Sequence, residues 1–293
     1  IKEYNMALIK FLTDSAADIP ADLARELGIQ VLHFPIAMEA GEIQDGVDYQ
    51  PEEFYRVLVK EKRIPTHAQL TPFMFEKCYQ QAYDEGYTDL IYMAINAKGS
   101  ATYCNALQAR ESFYEENPKA REKFTITVID AGTYTMAYGW AVIQGARMAA
   151  AGERLDKIEA FMRDWIAHAR ILFVPLDLRF AKKSGRVSAA AAFMGDALGL
   201  KPVMTFENGE SKVLTKVRGE KNVVPTIVSL CQKNRKRNTP YFLVRADNPE
   251  MAGKLRGACI QELKAEPELE YFIGGVIAVN AGPNLIGMVY REK

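Results

Sequence analysis

The sequence Leu-Arg-Phe-Ala-Lys-Lys-Ser-Gly-Arg-Val-Ser at positions 178–188 places four cationic side chains around a Ser-Gly turn. A glycine beside an arginine in such a turn allows the backbone to present the guanidinium to an anionic group. The same pattern is typical of a helix end, with Lys182 and Lys183 in the last turn and Gly185 as the stop. The segment therefore predicts either an anion contact made by Arg186 or an ordinary helix C-terminus.

Several common catalytic and cofactor motifs are missing from the sequence. It contains no G-x-x-x-x-G-K-[ST], no G-x-G-x-x-G after a strand and no G-x-S-x-G, so nucleotide sites of these kinds and a nucleophile elbow are not expected. Four cysteines and three histidines are scattered without zinc-binding spacing. Asp14, Asp18 and Asp130 stand at predicted strand ends, where carboxylates ordinarily cap helices and stabilise turns. We expect no cofactor, no metal and no catalytic activity.

Composition limits the classes of partner. The 293 residues carry 37 basic and 37 acidic side chains, whereas a nucleic-acid-binding protein usually has a basic excess, so no nucleic acid is expected. No uninterrupted apolar run reaches membrane-spanning length, and no apolar leader precedes a cleavage site, so we expect a cytoplasmic protein without direct membrane insertion. The length favours two domains, which we place at 1–168 and 169–293.

Hydrophobic patterning predicts the elements that must position these residues. In the first half, strands at 7–13, 89–95 and 124–129 alternate with helices, which favours a mainly parallel α/β sheet. Because ligands collect at the carboxyl ends of parallel strands, we expect the segments at 14–15, 96–98 and 130–132 to form one rim. Ile29–Ile36 predicts a further strand. The second half predicts a mixed-sheet α/β domain, in which Glu207–Glu210 forms a tight turn and Phe272–Val279 forms a strand.

Seven segments in the expected order make the chain resemble the DegV family of bacterial fatty-acid-binding proteins, over nearly its whole length. The opening Asp14-Ser15-Ala16-Ala17-Asp18-Ile19-Pro20 is similar to the family's D-S-x-x-D-[LI]-P. The others are Asp45-Gly46-Val47-Asp48, Lys98-Gly99-Ser100-Ala101-Thr102-Tyr103, Lys183-Ser184-Gly185-Arg186-Val187-Ser188, Leu200-Lys201-Pro202-Val203, Lys216-Val217-Arg218-Gly219 and Gly282-Pro283.

The resemblance implies a two-domain α/β carrier that buries one long-chain fatty acid in a narrow tunnel and presents its carboxylate to a separate fatty acid kinase. The acyl chain would be held by apolar burial, and the carboxylate by hydrogen bonds and positive charge. Arg186 would supply positive potential at the head group or at the kinase-docking face. The run Ala189–Gly195, with Phe193, Met194 and Leu198, would line the tunnel or simply pack in the core.

The chain departs from the family pattern at the implied head-group site. The family's T-S-Q block falls on His67-Ala68-Gln69, or alternatively starts at Thr66. Its Ser-Ser pair falls on Asn96-Ala97, and the histidine that often precedes Gly-Pro falls on Asn280. Because an imidazole and two amides can donate hydrogen bonds, we predict that His67, Asn96 and Asn280 re-form a donor set for a polar head.

The predicted lipid site thus comprises Thr66, His67, Asn96, Ala97, Ser100, Arg186 and Asn280. Ser100 matches the family but could equally cap the following helix. Three alternatives stay open: the substituted residues are ordinary rim residues and the site is weak, the ligand is a different amphiphile, or the protein is an enzyme that uses His67. The last follows from a further resemblance, to the substrate-binding half of dihydroxyacetone kinases.

Overall fold

Short runs of β-branched and aromatic residues form the strands of three sheets in a computed structural model, which describes residues 8–191 and 199–293. Phe193, Met194, Leu198 and the end of the alanine-rich run therefore lie outside the described residues. The strands are β1 Ile9–Asp14, β2 Gln30–Leu32, β3 Pro35–Met38, β4 Gly41–Gln44, β5 Thr66–His67, β6 Asp89–Ala94, β7 Thr125–Asp130, β8 Ala169–Pro175, β9 Leu200–Glu207, β10 Glu210–Arg218, β11 Tyr241–Arg245, β12 Leu269–Phe272 and β13 Leu285–Arg291.

The helices mostly begin where a proline or a polar turn follows a strand. They are α1 Ala21–Glu26, α2 Pro51–Leu58, α3 Pro72–Asp84, α4 Thr102–Glu116, α5 Met136–Ala150, α6 Leu155–His168, α7 Leu178–Ser184, α8 Ser188–Ala191, α9 Val223–Asn234, α10 Pro249–Leu263 and α11 Gly275–Ala281. Proline occupies the first helical position of α2, α3 and α10, where its missing N–H costs nothing. None of the helices in the described ranges is long and apolar enough to cross a membrane.

A four-stranded parallel sheet in the order β2-β1-β6-β7 organises the first half. Its carboxyl ends bring together the segments that follow β1, β6 and β7, as the sequence predicts. The Ile95 N–H donates to Asp14 Oδ2 at 2.9 Å, and the Ala97 N–H donates to Asp130 Oδ1 at 2.9 Å. These bonds join neighbouring strand ends into one rim.

A six-stranded sheet in the order β10-β9-β8-β13-β11-β12 forms the second half, and only the β11–β12 pair within it is parallel. Asn208 and Gly209, both with positive φ, form the tight turn between β9 and β10. A small antiparallel sheet in the order β4-β3-β5 stands beside the parallel sheet. The chain is therefore an α/β protein with one parallel and one mixed large sheet, as predicted.

One hydrophobic core is shared by the two halves. It runs from Phe11 and Leu90 in the parallel sheet to Phe173 and Phe242 in the six-stranded sheet. A second, smaller core covers the other face of the six-stranded sheet. The larger core is therefore continuous between the two large sheets. The division into domains at 1–168 and 169–293 stays a prediction.

Two predicted strands are wrong in detail. Phe272–Val279 contains the end of β12 and then the start of helix α11. An apolar run of this length does not distinguish strand from helix by periodicity, and the helix begins where two distant carboxylates accept the Gly274 and Gly275 N–H groups. Ile29–Ile36 likewise divides into β2 and β3, which belong to different sheets.

Candidate functional site

A narrow cavity lies between the parallel sheet and the six-stranded sheet. The volume of this cavity is about 60 Å³. Apolar side chains make up most of its wall: Ile95, Ile171, Phe173, Val187, Phe206, Val244, Ile273, Val276, Ile277, Ala281 and Leu285. The rings of Phe173 and Phe206 are stacked, with centroids 5.5 Å apart, so this part of the wall offers flat hydrocarbon surface.

Five residues form what we call the polar end of the cavity: His67, Gly99, Tyr134, Arg186 and Asn280. They come from β5, the rim after β6, the turn after β7, the loop after α7, and α11. These five segments are far apart in the sequence. The fold therefore brings His67, Asn280 and Arg186 together, and their role toward a lipid head group stays a prediction.

His67 and Asn280 are in direct contact, since Asn280 Nδ2 lies 3.0 Å from His67 Nε2. The other ring nitrogen, His67 Nδ1, is buried and has no hydrogen-bond partner among the described residues. Burial and the nearby Arg186 guanidinium lower the pKa of His67 to about 4; a backbone contact with Ala68, which does not meet hydrogen-bond geometry, opposes them. At neutral pH this imidazole is therefore uncharged.

Arg186 spans the two halves of the molecule. Its segment is a helix end, since α7 stops at Gly185, which has a φ of +71°. The exposed Arg186 side chain also turns back, so that Nε donates to the Gly99 carbonyl at 3.2 Å. Lys183 Nζ contacts the Ile64 carbonyl ahead of β5. Both sequence-based interpretations of this segment are thus compatible: a helix end presents a cation to the cavity.

Tyr134 is a cavity residue that the sequence analysis missed. Its hydroxyl accepts a 2.7 Å hydrogen bond from Asn96 Nδ2, which leaves the hydroxyl proton available for another acceptor. A Cβ at Gly99 would stand 2.3 Å from this hydroxyl oxygen, so a side chain at position 99 would displace Tyr134. Burial raises the pKa of Tyr134, although the Asn96 donor and Arg186 oppose this. The available sequence signal was its place in the turn after β7.

Asn96 contacts the polar end through Tyr134 and does not itself line the cavity. Its side chain is buried, and Nδ2 donates to the Gly209 carbonyl at 2.8 Å as well as to Tyr134. The Asn96 Oδ1 atom accepts from the Lys98 N–H at 3.2 Å. Both amide hydrogens and the amide oxygen are used within the protein, so Asn96 joins the rim to the β9–β10 turn.

The remaining predicted residues lie beside the cavity. Thr66 is exposed and pairs through its backbone with Ala37 of β3. The Ala97 N–H is taken by Asp130. Ser100 Oγ lies 2.9 Å from Thr102 Oγ1 and accepts from the Thr102 N–H at 3.3 Å. Ser100 thus stabilises the start of α4, and its role toward a ligand stays a prediction.

Asp14, the first of three buried carboxylates near the rim, is fully enclosed by donors. It accepts hydrogen bonds from the hydroxyls of Tyr92 and Tyr138 at 2.9 and 2.6 Å, in addition to the Ile95 N–H. Burial raises the pKa of Asp14 to about 6, and these donors oppose the shift. Its role is structural, because it ties β1 to β6 and α5.

Asp18 and Asp45 reach across to the second half of the molecule. Asp18 Oδ1 accepts from the Gly274 N–H at 2.8 Å, and Asp18 Oδ2 accepts from Thr135 Oγ1 at 2.5 Å. Asp45 accepts from Ser15 Oγ and from the Gly275 N–H. Burial raises the pKa of both carboxyl groups. Among the described residues, no cluster of His, Cys, Asp and Glu could hold a metal ion.

Comparison with known proteins identifies the family. The model of the DegV family, described as uncharacterised proteins, matches residues 8–293. A DegV domain-containing protein of Caldanaerobacter subterraneus subsp. tengcongensis is 30% identical over 290 residues, covering 98% of this chain and 100% of the relative. This chain belongs to the DegV family. The resemblance inferred from the seven segments is therefore confirmed.

Solved DegV structures share the fold. A DegV family protein from Thermus thermophilus, described as fatty-acid-binding, has a TM-score of 0.83 at 26% identity and covers 97% of this chain and 99% of its own. A stearic-acid-binding protein from Eubacterium ventriosum has a TM-score of 0.87 at 23% identity, with 98% of both chains covered. Both are described as binding fatty acids.

Proposed function

We propose that this DegV protein binds one long-chain fatty acid, with the acyl chain in the cavity and the carboxylate at the polar end. The observation that carries the proposal is the cavity itself, which has an almost wholly apolar wall and gathers donors and a cation at one end. Each buried methylene contributes about 0.8 kcal/mol, so a long chain drives binding. The carboxylate needs hydrogen bonds and charge when it leaves water.

His67 and Arg186 are the residues we assign to the carboxylate, and Tyr134 supplies a further hydroxyl donor. Asn280 positions His67, whereas Asn96 positions Tyr134. The fatty acid binding named for relatives such as the Thermus thermophilus protein supports the ligand class. The substitutions at positions 67, 96 and 280 alter how the head is held, and the charge and donors that remain still suit an anion.

We further propose a carrier role in the cytoplasm, in which the exposed Arg186 end faces a partner kinase. The kinase would transfer the terminal phosphoryl group of ATP to a carboxylate oxygen and release ADP, so the carrier itself is not the catalyst. His67 pairs with the amide of Asn280 and not with a carboxylate, which disfavours acid–base catalysis. The four cysteines are free thiols, as is typical of a reducing compartment.

Native mass spectrometry of delipidated protein mixed with stearic acid tests the binding proposal. We expect one acid per chain, with about tenfold weaker affinity in Arg186→Ala because a charge-assisted contact is lost. Arg179→Ala is the matched control, since Arg179 is exposed and paired with Asp177 at 2.7 Å. Protein that takes up no acid, or takes up only a small polar ligand, would exclude the proposed function.

Adding ATP and a fatty acid kinase to the loaded protein tests the carrier role. An acyl phosphate trapped by hydroxylamine is expected when the kinase, ATP and the loaded carrier are all present. Formation of the acyl phosphate by the carrier and ATP without kinase would instead show that this protein is an enzyme.

A further inference from the structure

The unpartnered His67 Nδ1 marks a polar atom that the folded chain leaves unsatisfied. It is buried, belongs to a side chain lining the cavity, and finds no partner in the described residues. A buried polar atom without a partner is costly, so such atoms are rare in folded proteins. A ligand in the cavity would satisfy it, and what that ligand must offer depends on whether Nδ1 carries a proton.

The contacts of Asn280 settle which way its amide faces. Asn280 Nδ2 lies 2.7 Å from the Val276 carbonyl of the preceding turn of α11. A carbonyl only accepts, so the group facing it must be the amide nitrogen; the opposite orientation would hold two oxygens against each other. One Nδ2 hydrogen is thus given to Val276, and the second points to His67 Nε2 at 3.0 Å.

This orientation fixes the imidazole. Because Asn280 donates to Nε2, that nitrogen must present a lone pair, and the single proton of a neutral ring must then be on Nδ1. We infer that Asn280 locks His67 as the Nδ1–H tautomer, so that a neutral N–H donor in the cavity selects a hydrogen-bond acceptor as the ligand's head group. Asn280 is a positioning residue in this arrangement, and His67 is the specificity-determining one.

The inference rests on the proposed function and sharpens its ligand class. Arg186 is the charged group that acts on His67 in the described structure, and its charge favours an anionic acceptor. An ionised carboxylate is both anionic and acceptor-only. A fatty alcohol of equal length can accept without charge, whereas a fatty ammonium can only donate. We therefore expect affinity to fall in the order acid, alcohol, amine.

The protonated nitrogen can be observed directly by long-range ¹H–¹⁵N correlation spectroscopy on histidine-labelled protein at pH 7.5. The cross-peaks lost in His67→Gln belong to His67. We expect the Nδ1–H tautomer in the delipidated protein and in the complex with stearic acid, and a mixture of tautomers in Asn280→Ala. A proton on Nε2 in the delipidated protein would overturn the inference even if the acid binds.

Two amide variants test the same point by affinity. The side-chain nitrogen of Asn can replace Nδ1, and that of Gln can replace Nε2. We expect His67→Asn to lose less than fivefold in stearic acid affinity and His67→Gln to lose about ten- to hundredfold. His168→Gln, on the exposed end of α6, serves as the unaffected control, and thermal melting confirms that each variant is folded.

The outcomes separate the two proposals. Equal losses in His67→Asn and His67→Gln, or binding of stearylamine as tight as that of stearic acid, would overturn the donor assignment while leaving fatty acid binding intact. Failure of the unaltered protein to bind any of the three lipids would instead exclude the proposed function. Tight acid binding with the stated order of variants supports both.

Discussion

Asp45 accepts a 2.6 Å hydrogen bond from the backbone N–H of Gly275, a residue 230 positions further along the chain. The same carboxylate accepts from Ser15 Oγ at 2.8 Å. Asp45 therefore fixes the first turn of α11 to the rim of the parallel sheet. Since α11 carries Asn280 at its other end, this contact also sets the position of the His67 ring.

Removal of the Asp45 carboxylate is expected to destabilise the protein. Asp45→Ala leaves the Ser15 hydroxyl and the Gly275 N–H without their acceptor in a buried place, so we expect the free energy of unfolding to fall by about 2–3 kcal/mol. Urea denaturation measures this. The exposed Asp48 accepts one bond from the Gln44 N–H, and Asp48→Ala should cost less than about 1 kcal/mol. Equal losses would contradict the role given to Asp45.

A side chain at position 275 is expected to destabilise the protein. An added Cβ would stand 2.8 Å from both Asp45 Oδ1 and Ile36 Cδ1, so Gly275→Ala should displace α11 and lower stability by roughly 1–3 kcal/mol. Gly253 in α10 has no heavy atom within 4 Å of the same position. Gly253→Ala should therefore stabilise the protein by about 0.5–1 kcal/mol, because alanine favours the helix. Thermal and urea unfolding should show that the two substitutions change the free energy of unfolding in opposite directions. A change in the same direction for both would refute the packing argument.

Asn96 is expected to matter more for stability than its exposed neighbour. Both Asn96 and Lys98 connect the rim to the β9–β10 turn, since Asn96 Nδ2 donates to Gly209 and Lys98 pairs with Glu210 at 2.9 Å. Asn96→Ala leaves buried groups unpaired and should cost about 1–3 kcal/mol. Lys98→Ala removes an exposed ion pair and should cost less than about 1 kcal/mol.

Ligand binding by these two variants separates a structural role from a direct one. If Asn96 acts through Tyr134, the refolded Asn96→Ala protein should still bind stearic acid, with a moderate loss of affinity. Complete loss of binding in a protein that remains folded would show that Asn96 itself contacts the ligand.

The pH dependence of stability should reveal the neutral state of His67. Its pKa is about 4 in the folded protein, below the ordinary value of 6.5. Between these values the unfolded chain binds the proton more readily, so this group's contribution to stability is present above pH 6.5 and is lost as the pH falls toward 4. Asp14, with its pKa raised to about 6, acts in the opposite direction over an overlapping range.

A difference between two proteins separates the effect of His67 on stability from that of the buried carboxylates. The free energy of unfolding of the unaltered protein minus that of His67→Gln should decrease steadily from pH 6.5 to pH 4 and stay constant above pH 7. A difference that stays constant over the whole range, or increases as the pH falls, would mean that His67 titrates normally or is stabilised as its cation.

Local patterns in the sequence were sufficient to predict most of the scaffold. Alternating strand and helix signals predicted the parallel sheet, and the Asn208-Gly209 pair predicted the hairpin turn, because these features depend on residues close in sequence. The rim was predictable too, since carboxyl ends of parallel strands must share an edge. The seven motifs identified the family for the same reason, as each is a short local signature.

The tertiary structure alone decided how the polar end is assembled. The apolar run at 272–279 is compatible with either a strand or a helix. Helix α11 forms there because Asp18 and Asp45 accept hydrogen bonds from the N–H groups at its start. Asn96 was predicted as a head-group donor from its place in a motif, yet it donates its amide hydrogens to Tyr134 and Gly209. The sequence by itself determined which side chains were available. Their partners depend on contacts between residues far apart in the chain, which no local pattern encodes.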